Sequence, residues 1–432
     1  MRISNLVNPP ALADVFTPGG QPSVTYVDRA ELGLESAVRK AIDQVNSIVS
    51  LTGATKTGKT VLCKNVLEEY EYVWIDGGQV KAEEDLWKKI CSELRLPNEK
   101  TETGSKQTGL GGHIDGSAEA SAGIVRKKVL ISVSGSRLKT QEESATFTLD
   151  SMQSAIDYLT ANKVILVIDD FHYLNDDTKR SVIQSLKGAV FRGLKVILLS
   201  TPHRAFEAMN AESEVTGRFK HVPVPDWSIE HLREIATSGF EALNVECPVE
   251  TINKFATESR GSPLLMQQFC WNLCYDLNIR QAGVQKQRIP DNFNLESIFS
   301  EVAKDAGLPR YEKLAKGPQT RTERQPRPLR DGTHVDIYQA ILLAIAMTGP
   351  KEKLTYDEIR SSLNAVLLDR VPQKIEVSNA LNNLSSIDSA QGGGPRSIDW
   401  NQRDLELVIV DPFFSFYLRW EIAHRFRTSQ VH

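Results

Sequence analysis

"GATKTGKT", residues 53–60, decides how this chain is read. Gly53 and Gly58, followed by Lys59 and Thr60, have the spacing of a phosphate-cradling loop. Phosphate carries concentrated negative charge, and a ring of backbone N–H groups at a helix N-terminus binds it well. Gly53 and Gly58 let the backbone wrap closely without a Cβ in the way. Lys59 is then placed to reach the β- and γ-phosphates, and the Thr60 hydroxyl to coordinate Mg2+. The context agrees: the apolar run "SIVSLTG" precedes the loop and "KTVLCKNVLEEY" reads as the helix it opens.

A loop of this kind needs a carboxylate at the end of a buried strand. "VILVIDD" supplies two. Asp169 is the candidate Mg2+ ligand, and Asp170 the candidate that orients or deprotonates the attacking water. The expected ligand is therefore Mg-ATP, with Gly53, Ala54, Thr55, Lys56, Thr57, Gly58, Lys59, Thr60 and Val61 forming the cradle.

Working outward, the chain reads as several units. Residues 1–25 are expected to be an irregular lead-in, broken by Pro9-Pro10 and "TPGGQP". Residues 26–225 alternate helices with apolar strands, including "KVILVIDD" and "LKVILLST", as a parallel sheet covered on both faces requires. Within them, 98–147 is rich in Gly and Ser and reads as an insertion, a hairpin or a loop. Residues 226–308 read as helices only, 309–333 as a basic, proline-bearing linker, and 334–432 as three helices followed by a hairpin, suggesting a winged helix-turn-helix. Thr355-x-x-Glu358 is a capping box opening the second of those helices. The expected fold class is α/β: a P-loop parallel sheet with a helical lid, then a winged-helix domain.

Bulk properties bound the function. The 432 residues suffice for two or three domains, and 41% hydrophobic with 25% charged residues is a globular composition. A net charge of −4 gives no whole-chain basic field for nucleic acid or acidic lipid. No window approaches the ~18 unbroken apolar residues of a membrane span, and the start lacks the pattern of a signal peptide. Five scattered cysteines offer no metal site; Cys270 and Cys274 share a helix face and read as core. The expectation is a reduced, cytoplasmic protein without membrane contact.

On these residues the chain resembles the AAA+/STAND-type P-loop ATPases, related to the origin-recognition ATPases, over roughly residues 26–425. The resemblance implies further roles. "VILLST" lies where a polar sensor residue faces the γ-phosphate, which nominates Ser200 and Thr201. "EVTGRFKHVPVP" nominates Arg218 as an arginine finger acting on a neighbouring subunit. "RGSPLLM" places Gly261 and Pro263 beside the base or ribose, and "YVDRAEL" nominates Tyr26 to Arg29 for adenine. Asp170 stands where many AAA+ enzymes carry glutamate, so slow turnover is expected.

Two uses of ATP follow from the resemblance. The first is a switch that self-assembles with nucleotide at subunit interfaces and controls a separate partner, in a setting such as defence against phage or mobile elements. The second is a DNA-binding loader or transposition-type regulator gripping DNA through the winged helix and linker. For the second, Arg310, Lys313, Lys316, Arg321, Arg324, Arg327 and Arg330 could neutralise phosphates. Against it, the presumed recognition helix "KIEVSNALNNLSSID" offers one lysine and no arginine. A scaffold that binds ATP without hydrolysing it is a third class, disfavoured by the intact Lys59, Asp169 and Asp170. His172 and His203 read as structural.

Overall fold

The computed structural model describes residues 9–44, 46–96, 151–201, 219–319, 324–389 and 397–430. The insertion at 98–147, His203, Arg218 and Arg321 lie outside them.

Five strands make one parallel sheet: β1 (Ile48–Thr52), β2 (Tyr72–Asp76), β3 (Ile165–Asp169), β4 (Val196–Ser200) and β5 (Phe219–Pro223), in the spatial order β2-β3-β4-β1-β5. The apolar runs of β1, β3 and β4 are buried along almost their whole length because helices cover both faces. Alternate residues feed two cores. Ile48, Leu166, Ile168, Val196 and Leu198 pack on one face; Val49, Leu51, Val167, Ile197 and Leu199 pack on the other. The order puts β1 and β3, the strands bearing the loop and the acidic pair, on either side of β4. All the strand ends therefore open toward one crevice, where open α/β sheets bind ligands.

Beyond the sheet, helices Ile229–Ala242, Val249–Glu258 and Pro263–Asp276 form a lid with its own core. The start of the chain belongs to it. Leu12, Val15 and Phe16 are buried there, so this part of the expected irregular lead-in is a docked segment. The fit is close: a Cβ on Gly239 would lie 2.2 Å from Phe16 Cζ, so only glycine lets the phenylalanine ring lie against the helix.

The C-terminal unit has helix Ile337–Met347, strand Lys353–Thr355, helices Tyr356–Val366 and Lys374–Ser389, and strands Ile398–Asn401 and Glu406–Ile409. The three strands form an antiparallel sheet with Glu406–Ile409 in the middle. The order of helices and strands agrees with the winged helix expected here. Its second helix begins with the capping box: Thr355 Oγ1 accepts from the Glu358 N–H, and the Glu358 carboxylate accepts from the Thr355 N–H.

The basic linker expected over 309–333 is corrected at its start. Helix Leu295–Lys316 runs through Pro309 because its first part buries Phe299 and Ala303 in the lid core and its last turn buries Leu314 in the winged-helix core. Gly307 lets Tyr417 approach, since a Cβ there would meet the Tyr417 Cβ at 2.3 Å. Three arginines of the expected linker are paired within the fold. Arg310 meets Asp388 at 3.0 Å, Arg324 bonds Asp336, and Arg327 bonds Glu376. Phe413, Phe416 and Trp420 enter the lid core, with the Trp420 ring tilted against that of Phe299 at 4.6 Å between centres. Lid and winged helix thus share one hydrophobic seam. No helix of the described residues is long and apolar enough to cross a membrane.

Candidate functional site

The loop after β1 turns into helix Lys59–Leu67 at Gly58, whose φ of 87° only glycine adopts without strain. Gly53 is pinned by an N–H bond to the Ser200 carbonyl, and a Cβ there would meet the Val224 carbonyl at 2.7 Å. Both sequence-nominated glycines are therefore demanded by geometry. Lys59 Nζ donates to the Gly53 and Ala54 carbonyls at 3.0 and 2.8 Å. Burial pushes its pKa down, although Asp170 and Asp169 pull the other way.

The decisive contact joins two distant parts of the chain. Thr60 Oγ1 donates to Asp169 Oδ2 at 2.9 Å. Burial raises the Asp169 pKa, opposed by that hydrogen bond and by the Asp170 N–H. Asp170 follows in a left-handed conformation (φ 51°) and is pushed up to about 6, first by burial and then by the Asp169 charge. Its carboxylate is 3.9 Å from His172 Nδ1, and the His172 ring lies against Tyr173. His172 is buried.

These groups line one cleft of about 510 Å³ between sheet and lid. Its walls carry Thr55 to Val61, Asp169, Asp170, Thr201, Tyr26, Arg29 and Pro263. A hydroxyl and a carboxylate oxygen side by side are the hard donors Mg2+ prefers. The Thr55 hydroxyl is buried with no hydrogen-bond partner among the described residues, which suits an additional polar ligand there. The residues present fit a Mg-nucleotide.

Other nominated residues divide. Thr201 reaches the cleft, whereas Ser200 is a buried strand residue behind it whose carbonyl serves Gly53. Pro263 lines the cleft at the N-terminus of helix Pro263–Asp276, where Ser262 caps. Gly261, at φ 73°, supplies the turn before it and is not on the wall. Tyr26 is on the wall, its hydroxyl donating to Glu35 at 2.8 Å. Arg29 is occupied otherwise: it donates to the Pro225 carbonyl and stacks 4.5 Å over Trp227.

Trp227 itself escaped sequence reasoning. Its indole N–H donates to the Thr57 carbonyl at 2.8 Å, tying the lid's first segment to the phosphate loop. A lone tryptophan before a helix carries no spacing signal that could have announced this.

Residues 42–208 match the family model described as an AAA domain. No curated protein sequence matches the chain significantly. Among solved structures it is similar to the Walker-type ATPase PABY2304 of Pyrococcus abyssi, at 17% identity and a TM-score of 0.53, over 91% of this chain and 96% of that one. The ORC2 protein of Aeropyrum pernix, solved with ADPNP and ADP, is 12% identical with a TM-score of 0.49, over 96% and 98%. The first likeness supports the fold over that 91% of the chain.

Proposed function

We propose that this AAA-domain protein binds Mg-ATP in the cleft and hydrolyses it slowly, as a switch. The observation that carries the reading is the Thr60–Asp169 hydrogen bond beside Lys59, at the mouth of a loop whose glycines are sterically required. The loop amides from Gly53 to Val61 cradle the phosphates, and Lys59 exchanges two loop carbonyls for phosphate oxygens. Thr60 and Asp169 would hold Mg2+, which would supply neutralisation of the charge developing on the phosphoryl group. Asp170 orients the attacking water and is placed to accept its proton. Thr201 contacts the γ-phosphate end, with Ser200 supporting the loop from behind. Tyr26, Pro263 and the residues around them take the nucleoside.

Arg218 completes a neighbour's site in this proposal, so nucleotide sits between copies of the chain and a separate partner reads the assembly. The partner acts in a system such as defence against phage or mobile elements. Internal pairing of Arg310, Arg324 and Arg327 favours this switch over a loader that grips DNA through the linker. Steady-state ATP hydrolysis with and without double-stranded DNA, with Lys59→Ala as the blank, tests the choice. The switch reading expects low turnover indifferent to DNA; a DNA-stimulated, salt-sensitive rate would favour the loader.

A further inference from the structure

The phosphate loop holds a second lysine that the proposed chemistry does not use. Lys56 sits in mid-loop at φ 65°, and its side chain reaches out to the C-terminal unit. Its Nζ donates to Asp411 Oδ1 at 3.0 Å and lies 3.6 Å from the centre of the Phe413 ring. The same Asp411 oxygen accepts the Phe413 N–H at 3.0 Å, capping helix Pro412–Tyr417. That helix is the seam of the molecule: Phe413 and Phe416 belong to the lid core and Phe414 to the winged-helix core. The pair is shielded, with the Asp411 side chain 11% exposed and the Lys56 side chain 28%. An ion pair in such a place is less screened than one in open solvent.

We propose that Asp411 is a positioning residue for the phosphate loop, coupling nucleotide occupancy of the cleft to the seating of the lid–winged-helix seam. The proposal rests on the cleft being a nucleotide site. The loop backbone must follow the phosphates, and Lys56 carries any displacement to Asp411 and so to the helix it caps. The carboxylate also neutralises a cation that would otherwise sit beside the triphosphate. Coupling of this kind is reciprocal: whatever ATP does to the seam, the seam does to ATP affinity by the same factor.

The test is titration of the full chain with a fluorescent ATP analogue, together with amide exchange of residues 412–417 with and without ATP. Asp411→Asn keeps a good helix cap and removes the charge. It is expected to tighten ATP roughly five- to tenfold, a usual size for coupling between sites. In the unaltered chain ATP should raise exchange in 412–417; in Asp411→Asn exchange should be high either way. In a Lys56→Gln background, Asp411→Asn should have no further effect on affinity. Unchanged affinity in Asp411→Asn, or a further shift when Asp411→Asn is added to Lys56→Gln, would overturn the proposal while leaving the nucleotide site intact. Failure of the unaltered chain to bind the analogue would remove the nucleotide reading itself, and this proposal with it.

Discussion

The Thr60 hydroxyl donates to the Asp169 carboxylate at 2.9 Å, joining the first turn of the loop helix to the end of β3. The two residues are 109 positions apart in the chain, and strand β4 separates the strands that deliver them. A contact of this kind requires the parallel order of the sheet to be right. It also sets the acidic end of β3 beside the Thr60 hydroxyl, two hard oxygen donors next to the loop.

Lys59→Ala should abolish ATP binding and leave the fold intact, since Lys59 bonds only loop carbonyls in this structure. Thermal melting reads this directly. At 100 times the dissociation constant, ATP should stabilise the unaltered chain by about 2.7 kcal/mol, and Lys59→Ala by nothing.

Asp170→Asn should bind ATP and lose turnover. It should also alter stability in a pH-dependent way in metal-free, nucleotide-free buffer. The folded-state pKa is raised to about 6 from 3.8, so the folded protein holds the extra proton between those values. Stability then falls as pH rises from about 4 to about 6. Asp170→Asn removes that cost, so it should melt higher than the unaltered chain at pH 8. The two should melt alike below pH 4. Melting curves at the two pH values decide it.

Trp227→Phe retains most of the ring over Arg29 and loses the indole N–H that holds the Thr57 carbonyl. One hydrogen bond of about 1 kcal/mol corresponds to roughly fivefold weaker nucleotide binding. Trp227→Ala should cost more, through the lost stacking with Arg29. Calorimetric titration separates the two variants.

Gly239→Ala should destabilise the lid by about 1–3 kcal/mol, because the added methyl overlaps the Phe16 ring. The same change in a Phe16→Ala background should be nearly neutral, since the obstructing ring is gone. Urea denaturation of the four combinations measures the coupling.

Much of this site was legible because its signals are local. Gly53, Gly58, Lys59 and Thr60 sit at fixed spacing between a strand and a helix, and the apolar run before Asp169 announces its own end. The remaining contacts depend on chain segments that no spacing relates. Trp227 and Asp411 reach the phosphate loop only after the lid and winged helix have packed. The same packing turned an apparent linker into helix: Leu314 needed a core to enter, and Arg310, Arg324 and Arg327 needed Asp388, Asp336 and Glu376, which lie well downstream. A count of basic residues cannot distinguish a phosphate-binding stripe from a set of internal ion pairs. Arg218, which the resemblance assigns to a neighbour's site, falls outside the described residues.

The central claim is that Lys59, Thr60 and Asp169 form one Mg-ATP site, and the most direct measurement is Mg2+-dependent ATP hydrolysis by the full chain, run beside Lys59→Ala and Asp169→Asn. The expected result is slow turnover that requires Mg2+ and disappears in both variants. Turnover persisting equally in Lys59→Ala, or calorimetry showing no ATP binding by the unaltered chain at millimolar concentration, would contradict it.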